Sequence, residues 1–435
     1  MASFDPVGSK MGLTSMGMTL AEKIIARAAG RVKVAPGEIV TCNVDLAMIH
    51  DSGGPRRVKP ILDRWGVGVW DPDKVVLITD HYVPATDDES RNIQAIAKSF
   101  AAHQRIVNFY DSVGICHVVL PERGHLRPGM FAVGGDSHSP TGGAFGAYMF
   151  GVGATEMAGV LATGEIWLRV PETILIEWTG KLGAGVSSKD MMLHLCGKLG
   201  MDGGRYQAVQ YAGDAVRALS MQERMTLSNM AAELGAQAGL IEADSVTADF
   251  LRAAGAAVDD GDEWRNDADA VTSEHHVFDA AALEPQVAAP HSPANAAPVS
   301  SHAGTRVDVA YIGACTGAKL EDLRMAASVL RGRKTAPGVE LIVAPASLRD
   351  QEIARREGTL GAILEAGAQL LPNACGICAG YGDARFGENV TAISSTARNF
   401  KGRMGAPSSN VYLGSPYTVA ASAIEGRIAD PRGHI

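Results

Sequence analysis

The sequence predicts an α/β protein made of several layered domains. The chain has 435 residues, of which 46% are hydrophobic, so it is long enough to bury more than one core. Short β-branched runs alternate with longer helical patterns, as in mostly parallel sheets covered by helices. Polar clusters directly follow several of these runs, and open α/β sheets bind ligands beyond the carboxyl ends of their strands. A ligand site is therefore expected at those clusters.

The first unit is predicted to span residues 1–170. An amphipathic helix is expected over residues 18–29, with Thr19 as its N-cap and Gly30 at its end. A second helix is expected over residues 90–109, and Gly- and Ala-rich helical material over residues 144–168. Strands are predicted at four β-branched runs: residues 38–44, 74–79, 117–120 and 130–133.

Two further units are predicted, over residues 171–305 and 306–435. The second opens with a strand at residues 173–178 and contains helices at residues 187–199 and 226–239. Residues 259–306 are rich in Asp, Ala, Pro and Ser with little apolar periodicity, which predicts a largely extended connection. The third unit is predicted to have strands at residues 306–313, 340–343 and 369–371.

Charge and hydropathy bound the partners that this chain can have. The net charge of −9 argues against binding to nucleic acid or to an anionic membrane. No run approaches the ~18 consecutive apolar residues of a transmembrane helix. The first twenty residues lack the charged start and apolar core of a secretory signal. The expected location is the cytoplasm.

Three of the six cysteines require a specific explanation. Cys315 follows a strand-like run, and Cys375 and Cys378 form a C-x-x-C pair. A structural zinc site needs four ligands, and no second C-x-x-C is present, although His291 or His302 could contribute. Three thiolates also suit a cubane iron–sulfur cluster whose fourth iron stays open as a Lewis acid. Spacing alone leaves both sites open, as well as three unrelated cysteines. The other cysteines are predicted to be buried small side chains: Cys42, Cys116 and Cys196.

A series of motifs carries a resemblance to a known family. They include VDLAMIHD, ITDHYVP, GICHVVLPE, GDSHSPTGGAFGA, NMAAELGA, YIGACTG, PNACGIC and ARNFKGRMG, and they follow the family's order. The chain resembles the aconitase superfamily over nearly its whole length. Within it, the chain looks most like the large-subunit type of isopropylmalate dehydratase, homoaconitase and dimethylmalate dehydratase. The resemblance implies three α/β/α domains around an iron–sulfur cluster site, and a hydro-lyase that dehydrates and rehydrates a malate-type hydroxy acid.

The resemblance also implies roles for individual residues. The three ligands of the family's 4Fe–4S cluster match Cys315, Cys375 and Cys378. The pair that handles the proton on the departing hydroxyl matches Asp80 and His81. The groups around iron-bound water match Asp136, Ser137 and His138. A histidine–carboxylate pair near the fourth iron matches His117 and Glu233. Asn229 matches an amide close to the cluster, and Arg398 and Arg403 match the arginines that grip a substrate carboxylate.

The chemistry of these residue types agrees with those roles, although each has a plainer alternative. An imidazole beside a carboxylate suits proton transfer near neutral pH, and guanidinium groups match carboxylates with two parallel N–H donors. Taken alone, however, Asp80 could be a helix cap beside a surface His81, and residues 136–138 could form a simple turn. Arg398 and Arg403 could be solvated surface charges, and Glu233 could be exposed.

The chain departs from the family pattern at three positions. Gly317 follows Cys-Thr where the family has Asn, and Ala397 precedes Arg-Asn-Phe where the family again has Asn. Both changes remove an amide beside the expected cluster, where such donors tune the metal and hold substrate. Arg56 stands near a place where relatives carry Gln or a small polar residue. The side group of the substrate is therefore left open.

The resemblance implies a protein partner as well. Single-chain aconitases have a fourth, swivelling domain that supplies a serine base and further arginines, and this sequence ends near the point where the family's third domain ends. A separate small subunit is therefore expected to complete the site for a di- or tricarboxylate substrate, and the chain alone is expected to be inactive. Two other classes remain open: an RNA-binding relative without a cluster, which the net charge opposes, and a relative that uses another metal.

Overall fold

The structure is a computed structural model that describes residues 17–258, 263–381 and 385–435. In the described residues, three larger sheets with helices on their faces and one two-stranded sheet form the architecture, which confirms the α/β prediction. None of the described helices has the length and apolar character needed to cross a bilayer. The prediction about a secretory signal concerns residues that lie mostly outside the described part of the chain.

The first unit is a parallel sheet with an antiparallel ribbon beside it. Its helices are α1 (Leu20–Ala28), α2 (Pro55–Trp65), α3 (Asp88–Gln104), α4 (Cys116–Glu122) and α5 (Ala154–Thr163). Its strands are β1 (Ile39–Asn43), β2 (Leu46–His50), β3 (Val75–Thr79), β4 (Asn108–Asp111), β5 (Phe131–Gly134), β6 (Tyr148–Gly151) and β7 (Glu165–Arg169). The sheet has the order β4-β3-β2-β5-β6 with all neighbours parallel, and β1 pairs with β7 in the ribbon.

The predicted first helix is confirmed, together with its cap. The side chain of Thr19 accepts the backbone N–H of Glu22 at 3.3 Å, and Glu22 Oε2 accepts the backbone N–H of Thr19 at 2.7 Å. This reciprocal capping box satisfies two amide groups that the first turn leaves unpaired. The apolar face of α1, which includes Leu20 and Ile24, is fully buried against the first sheet.

The prediction of a strand at residues 117–120 is wrong, because these residues lie in α4. The β-branched pair Val118–Val119 favours a strand locally, but the carboxylate of Asp80 accepts the backbone N–H of Cys116 at 2.8 Å. An anion at the first turn stabilises a helix, and this one is distant in sequence. Helical material predicted over residues 144–168 also proves to be mixed, since β6 precedes α5 and β7 follows it.

A second and a third sheet follow the first along the chain. The second has β8 (Thr173–Thr179), β9 (Ala208–Ala212), β10 (Ala238–Leu240) and β11 (Glu274–Asp279), with α6 (Ser188–Leu199), α7 (Asp214–Ala218), α8 (Met221–Met230) and α9 (Ser245–Ala253). The third has β12 (Gln286–Ala288), β13 (Ala296–Pro298), β14 (Val309–Ile312), β15 (Glu340–Val343), β16 (Gln369–Leu370), β17 (Thr391–Ser394) and β18 (Asn410–Gly414). Its helices are α10 (Leu320–Leu330), α11 (Leu348–Arg356), α12 (Thr359–Glu365), α13 (Gly376–Ala379) and α14 (Pro416–Glu425).

Part of the predicted extended connection forms strands of these two sheets. The second sheet is parallel with the order β10-β9-β8-β11, and the third has the order β13-β12-β18-β17-β14-β15-β16. Residues 263–306 therefore have more regular structure than predicted, because they supply β11, β12 and β13. Strand β11 lies at a sheet edge with alternate residues half-buried and the others exposed, and β12 and β13 have three residues each, so apolar periodicity is weak. The boundary at residues 305–306 stays a prediction.

The strand order brings polar residues together at one edge of the first sheet. Strands β3, β2 and β5 are parallel neighbours, so their carboxyl ends lie side by side. His50 ends β2, Asp80 follows β3 directly, and Asp136 lies two residues beyond β5. In the third sheet, the neighbours β14 and β17 likewise end close to Cys315 and Ser395.

The capping box gives a test of the first unit. Thr19→Ala removes the side-chain acceptor at the start of α1, and we expect the free energy of unfolding to fall by about 1 kcal/mol. Urea denaturation followed by circular dichroism measures this loss. Thr86→Ala, at an exposed position, is the matched control and is expected to stay within about 0.5 kcal/mol of the parent. Equal midpoints for the two variants would show that the cap contributes nothing.

Candidate active site

Two histidines and two aspartates meet at the carboxyl ends of β2 and β3. Asp80 Oδ1 lies 2.6 Å from Nδ1 of His81, and Asp80 Oδ2 accepts the backbone N–H of Cys116. The backbone N–H of His81 donates to Asp51 Oδ1 at 3.1 Å. The side chains of Asp80 and Asp51 are fully buried, so His81 is held by two carboxylates that water does not screen.

These contacts shift the pKa values of Asp80 and His81 in opposite directions. Burial raises the pKa of Asp80, but the adjacent His81 outweighs burial and lowers that pKa to about 2. Burial lowers the pKa of His81, whereas Asp80 and Asp51 raise it, and the net pKa lies well above the ordinary value. His81 is therefore an imidazolium at neutral pH and is able to donate a proton.

His50 is a site residue that the sequence prediction does not contain. Its ring stacks on His81 with 4.3 Å between the centroids, and its Nδ1 accepts the backbone N–H of Gly53 at 3.4 Å. Its Nε2 is buried and has no hydrogen-bond partner among the described residues. Burial and the neighbouring His81 lower the pKa of His50, so the ring is neutral. Because Nδ1 accepts a hydrogen bond, the proton lies on Nε2, which is free to donate to a ligand.

The other histidines and carboxylates are paired differently from the prediction, which joins His117 to Glu233. Nε2 of His117 lies 2.9 Å from Asp136 Oδ1, and Nε2 of His138 lies 3.2 Å from Glu233 Oε1. The predicted pairing is therefore wrong. His117 pairs with Asp136 because α4 places His117 beside the end of β5. Glu233 follows α8, which packs against the 3-10 turn at residues 139–145, directly after His138.

Glu233 is the centre of a network that joins the three sheets. Nε of Arg398 donates to Glu233 Oε1 at 2.5 Å, and Nη1 of the same arginine donates to Ser137 Oγ at 2.8 Å. Burial raises the pKa of Glu233, but Arg398 and His138 outweigh burial and lower it to about 2. Burial and the charge of Arg398 both lower the pKa of His138. Ser137 and His138 extend from the first sheet, Glu233 from the second and Arg398 from the third.

Cys315 lies in the loop after β14, where side chains of the other sheets reach it. Nδ2 of Asn229 donates to Cys315 Sγ at 3.3 Å and to Thr141 Oγ1 at 2.8 Å. Asn229 lies near the carboxyl end of α8 and is fully buried. The structure therefore places this amide against the predicted cluster ligand, as the resemblance implies.

Cys375 and Cys378 flank the start of the short helix α13, beside the first sheet. The backbone N–H of Cys375 donates to the carbonyl of Asp80 at 2.8 Å, and the N–H of Cys378 donates to the carbonyl of Cys375 at 3.0 Å. The hydrogen bond from the Cys375 thiol lowers the pKa of Cys378 to about 5, against the effect of burial, and Arg403 lowers it further. One of the two sulfurs is therefore a thiolate at neutral pH, the form that binds metal.

The donor set of the three cysteines fits an iron–sulfur cluster better than a single ion. All three thiols are free of disulfides. In two other groups, His50–Asp51–Asp80–His81 and Cys116–His117–Asp136, the ligand atoms all lie within 4.8 Å of one another. The three cysteine sulfurs are not grouped so closely. A cluster accommodates the wider spacing because its irons occupy separate corners, and an amide donor to sulfur is typical of cluster sites.

Arg403 faces a basic cavity beside the C-x-x-C loop. The cavity has a volume of 330 Å³, and its lining includes Arg385, Lys401 and Arg403. Nε of Arg403 is buried without a hydrogen-bond partner in the described part of the chain. A buried N–H of this kind is costly when it stays unpaired. It is therefore a candidate donor for an anionic ligand.

The structure explains the departure from the family pattern at Gly317. A side chain at Gly317 would overlap the side chain and carbonyl of Ser395. Ser395 Oγ accepts the N–H of Gly313 at 3.0 Å and donates to the carbonyl of Gly317 at 3.1 Å. Glycine at position 317 is thus required by serine at position 395. Ala397 is buried in the apolar core of the second sheet, and nothing in the structure explains why it stands in place of asparagine.

Comparison with known proteins identifies the class of protein that this fold and site define. The chain matches the Aconitase family (aconitate hydratase) over residues 22–306 and 300–426, and it belongs to that family of hydro-lyases. It is 44% identical to the 3-isopropylmalate dehydratase large subunit 1 of Methanopyrus kandleri, over 97% of this chain and 100% of that protein. It is also 44% identical to the "Probable methanogen homoaconitase large subunit" of Methanothermobacter thermautotrophicus, over 95% and 98%. The crystal structure of Thermococcus kodakaraensis aconitase X (holo-form) overlaps with a TM-score of 0.48 at 13% identity, over 82% and 84%.

The network around Glu233 gives a test that needs no substrate. Glu233→Gln leaves the guanidinium of Arg398 without its anion, and we expect the free energy of unfolding at pH 7 to fall by ~3 kcal/mol. The pKa of Glu233 is lowered from 4.5 to about 2, so its contribution is complete above the higher value and is lost as the pH falls.

The difference in the free energy of unfolding between the parent and Glu233→Gln is therefore expected to shrink as the pH falls from about 4.5 toward 3. Urea denaturation at several pH values measures it. Glu89→Gln, at a largely exposed glutamate, is the control and is expected to leave stability unchanged at every pH. A difference that is constant with pH would show that the pKa of Glu233 is the same in the folded and unfolded states.

Proposed function

We propose that this chain is the large subunit of an iron–sulfur hydro-lyase that dehydrates and rehydrates a malate-type hydroxy acid. One observation carries the proposal: three free cysteines lie beside three histidines, and each histidine is paired with a different carboxylate. Such a reaction needs a proton for the departing hydroxyl, a group that manages water, and cations for the carboxylates. The site contains side chains suited to each of these tasks.

Different side chains of the site donate the proton and bind the water. His81 is an imidazolium held by Asp80 and Asp51, and it is the proton donor to a departing hydroxyl. Burial raises the pKa of Asp136, but His117 outweighs burial and holds it well below its ordinary range, so this carboxylate accepts a hydrogen bond from water. His138 is neutral because of burial and Arg398, and it completes the surroundings of that water.

The arginines are assigned to the substrate carboxylates. Arg403 has a buried N–H without a partner, and Arg398 is fixed by Glu233 and Ser137. A guanidinium that is already positioned loses little entropy when it binds a carboxylate. When bound at Cys315, Cys375 and Cys378, a 4Fe–4S cluster would supply a Lewis acid for the hydroxyl and carboxylate oxygens. Asn229 then donates its amide N–H to a ligand sulfur.

We propose 3-isopropylmalate as the substrate, by interconversion with 2-isopropylmalate. Relatives of this name from Methanopyrus kandleri and Moorella thermoacetica are 44% and 41% identical to the chain and are covered almost completely. A homoaconitase or dimethylmalate dehydratase is the alternative, and the homoaconitase name also occurs among relatives at 44% identity. Both relatives are called large subunits, which supports a small partner subunit that supplies the base for the carbon-bound proton.

The cluster assignment has a direct test. Cys375→Ser removes one thiolate ligand, and we expect the anaerobically purified and reconstituted variant to lose most of its iron and sulfide together with its visible absorption. Cys42→Ser is the control, because Cys42 is fully buried in the first core away from the site. A wild-type chain that stays colourless and iron-free after reconstitution would end the cluster proposal.

The substrate and the partner are tested together. The reconstituted chain, with and without its candidate small subunit, is assayed on isopropylmalate, dimethylmalate and homoaconitate. We expect turnover only with the small subunit, and the highest kcat/KM on isopropylmalate. The ranking of kcat/KM decides between the substrates, and full turnover by the lone chain would refute the need for a partner.

A further inference from the structure

Lys189 is a buried lysine whose position is unfavourable for a positive charge. It is only 1% exposed and occupies the second position of α6, after the N-cap Ser187. The amino end of a helix carries partial positive charge, so a cation there is repelled. Burial lowers the pKa of Lys189 to about 8, although the charges of Glu233 and Cys378 raise it. Something else in the molecule must favour a lysine at this position.

The contacts of Lys189 do not neutralise it. Its Nζ donates to the carbonyls of Ser395 at 3.2 Å and Thr396 at 2.5 Å, and no carboxylate of the described residues lies within ion-pair distance. Lys319, the other fully buried lysine at the site, shows the contrast. Its Nζ is 2.7 Å from Asp322 Oδ2 and also donates to the carbonyl of Cys315. A buried charge without a partner is costly, so Lys189 requires an anion nearby.

The turn that Lys189 holds leads directly to the candidate active site. The carbonyl of Ser395 accepts both Lys189 Nζ and the hydroxyl of Thr316, which is the neighbour of Cys315. Arg398 follows the same turn two residues beyond Thr396. The anions that act most strongly on Lys189 are Glu233, which Arg398 and His138 already neutralise, and the thiolate of Cys378. Hydrogen bonds thus connect the ammonium group of Lys189 to the turn beside Cys315.

We infer that Lys189 is a positioning residue for the cluster: its unpaired ammonium group supplies a fixed positive charge that favours the electron-rich cluster. This inference rests on the proposed cluster at Cys315, Cys375 and Cys378. Net charge around a cluster is one determinant of its reduction potential, and a nearby cation makes added electron density more favourable. Removing the charge therefore shifts the potential to more negative values, whether or not the hydrogen bonds to the turn remain.

Two substitutions separate the charge from the hydrogen bonds. Lys189→Gln keeps an N–H donor for the turn and removes the charge, whereas Lys189→Met removes both. We expect the cluster of both variants to have a midpoint potential more negative than that of the parent, by the same amount, in redox titrations followed by electron paramagnetic resonance. Lys189→Arg retains the parent's potential. Lys198→Gln, at an exposed lysine of the same helix, is the matched control and shows no shift.

A second measurement needs no cluster. In the cluster-free protein the charge of Lys189 is a net cost, so Lys189→Gln is expected to be at least as stable as the parent at pH 7 in urea denaturation. A parental potential for Lys189→Gln beside a shifted one for Lys189→Met would assign a hydrogen-bonding role and overturn the inference. Failure of Lys189→Gln to fold would overturn it as well. A parent chain that binds no iron refutes the proposed function, and the stability comparison still tests the cost of the charge.

Discussion

The buried ion pair between Glu233 and Arg398 is the contact on which the site depends. Glu233 is wholly buried, and its carboxylate is balanced by a guanidinium from the third sheet and hydrogen-bonded to a histidine from the first. A buried carboxylate is tolerated only when such partners are in place, so the three sheets must meet in one arrangement. Arg398 then extends the same chain to Ser137. The requirement to satisfy one charge thus links residues from all three sheets at the site.

The parallel sheets give this arrangement a simple origin. Neighbouring parallel strands end at the same edge, so His50, Asp80 and Asp136 come together although they are far apart in sequence. The backbone then reinforces the site, since the N–H of Cys116 binds the carboxylate of Asp80 and the N–H of Cys375 binds its carbonyl. Polar groups that are fixed before a ligand arrives need no reorganisation when it binds, which is the main advantage of a site on strand ends.

The sequence predicts several of the strands and the cap of α1, and it names residues for the proposed site, but it does not show how those residues are paired. Strand β2 escapes prediction because every residue of LAMIH is buried and the run has no polar alternation, and His50 and Asp51 are missed with it. Residues 117–120 form a helix because of Asp80, a partner that no local pattern contains. Spacing could not decide what the three cysteines bind, and the motifs could not show that Ser395 fills the space beside Gly317.

The pairs His81–Asp80 and His138–Glu233 show that a histidine beside a carboxylate can be either charged or neutral. His81 faces the carboxylates of Asp80 and Asp51, so its pKa rises and it carries a proton at neutral pH. His138 faces a carboxylate too, but Arg398 has already neutralised Glu233, and burial together with that arginine lowers the histidine's pKa. A proton donor and a neutral imidazole therefore coexist in one site without any difference in residue type. The arginine, which the sequence suggests only as a carboxylate ligand, also acts together with burial to lower the pKa of His138.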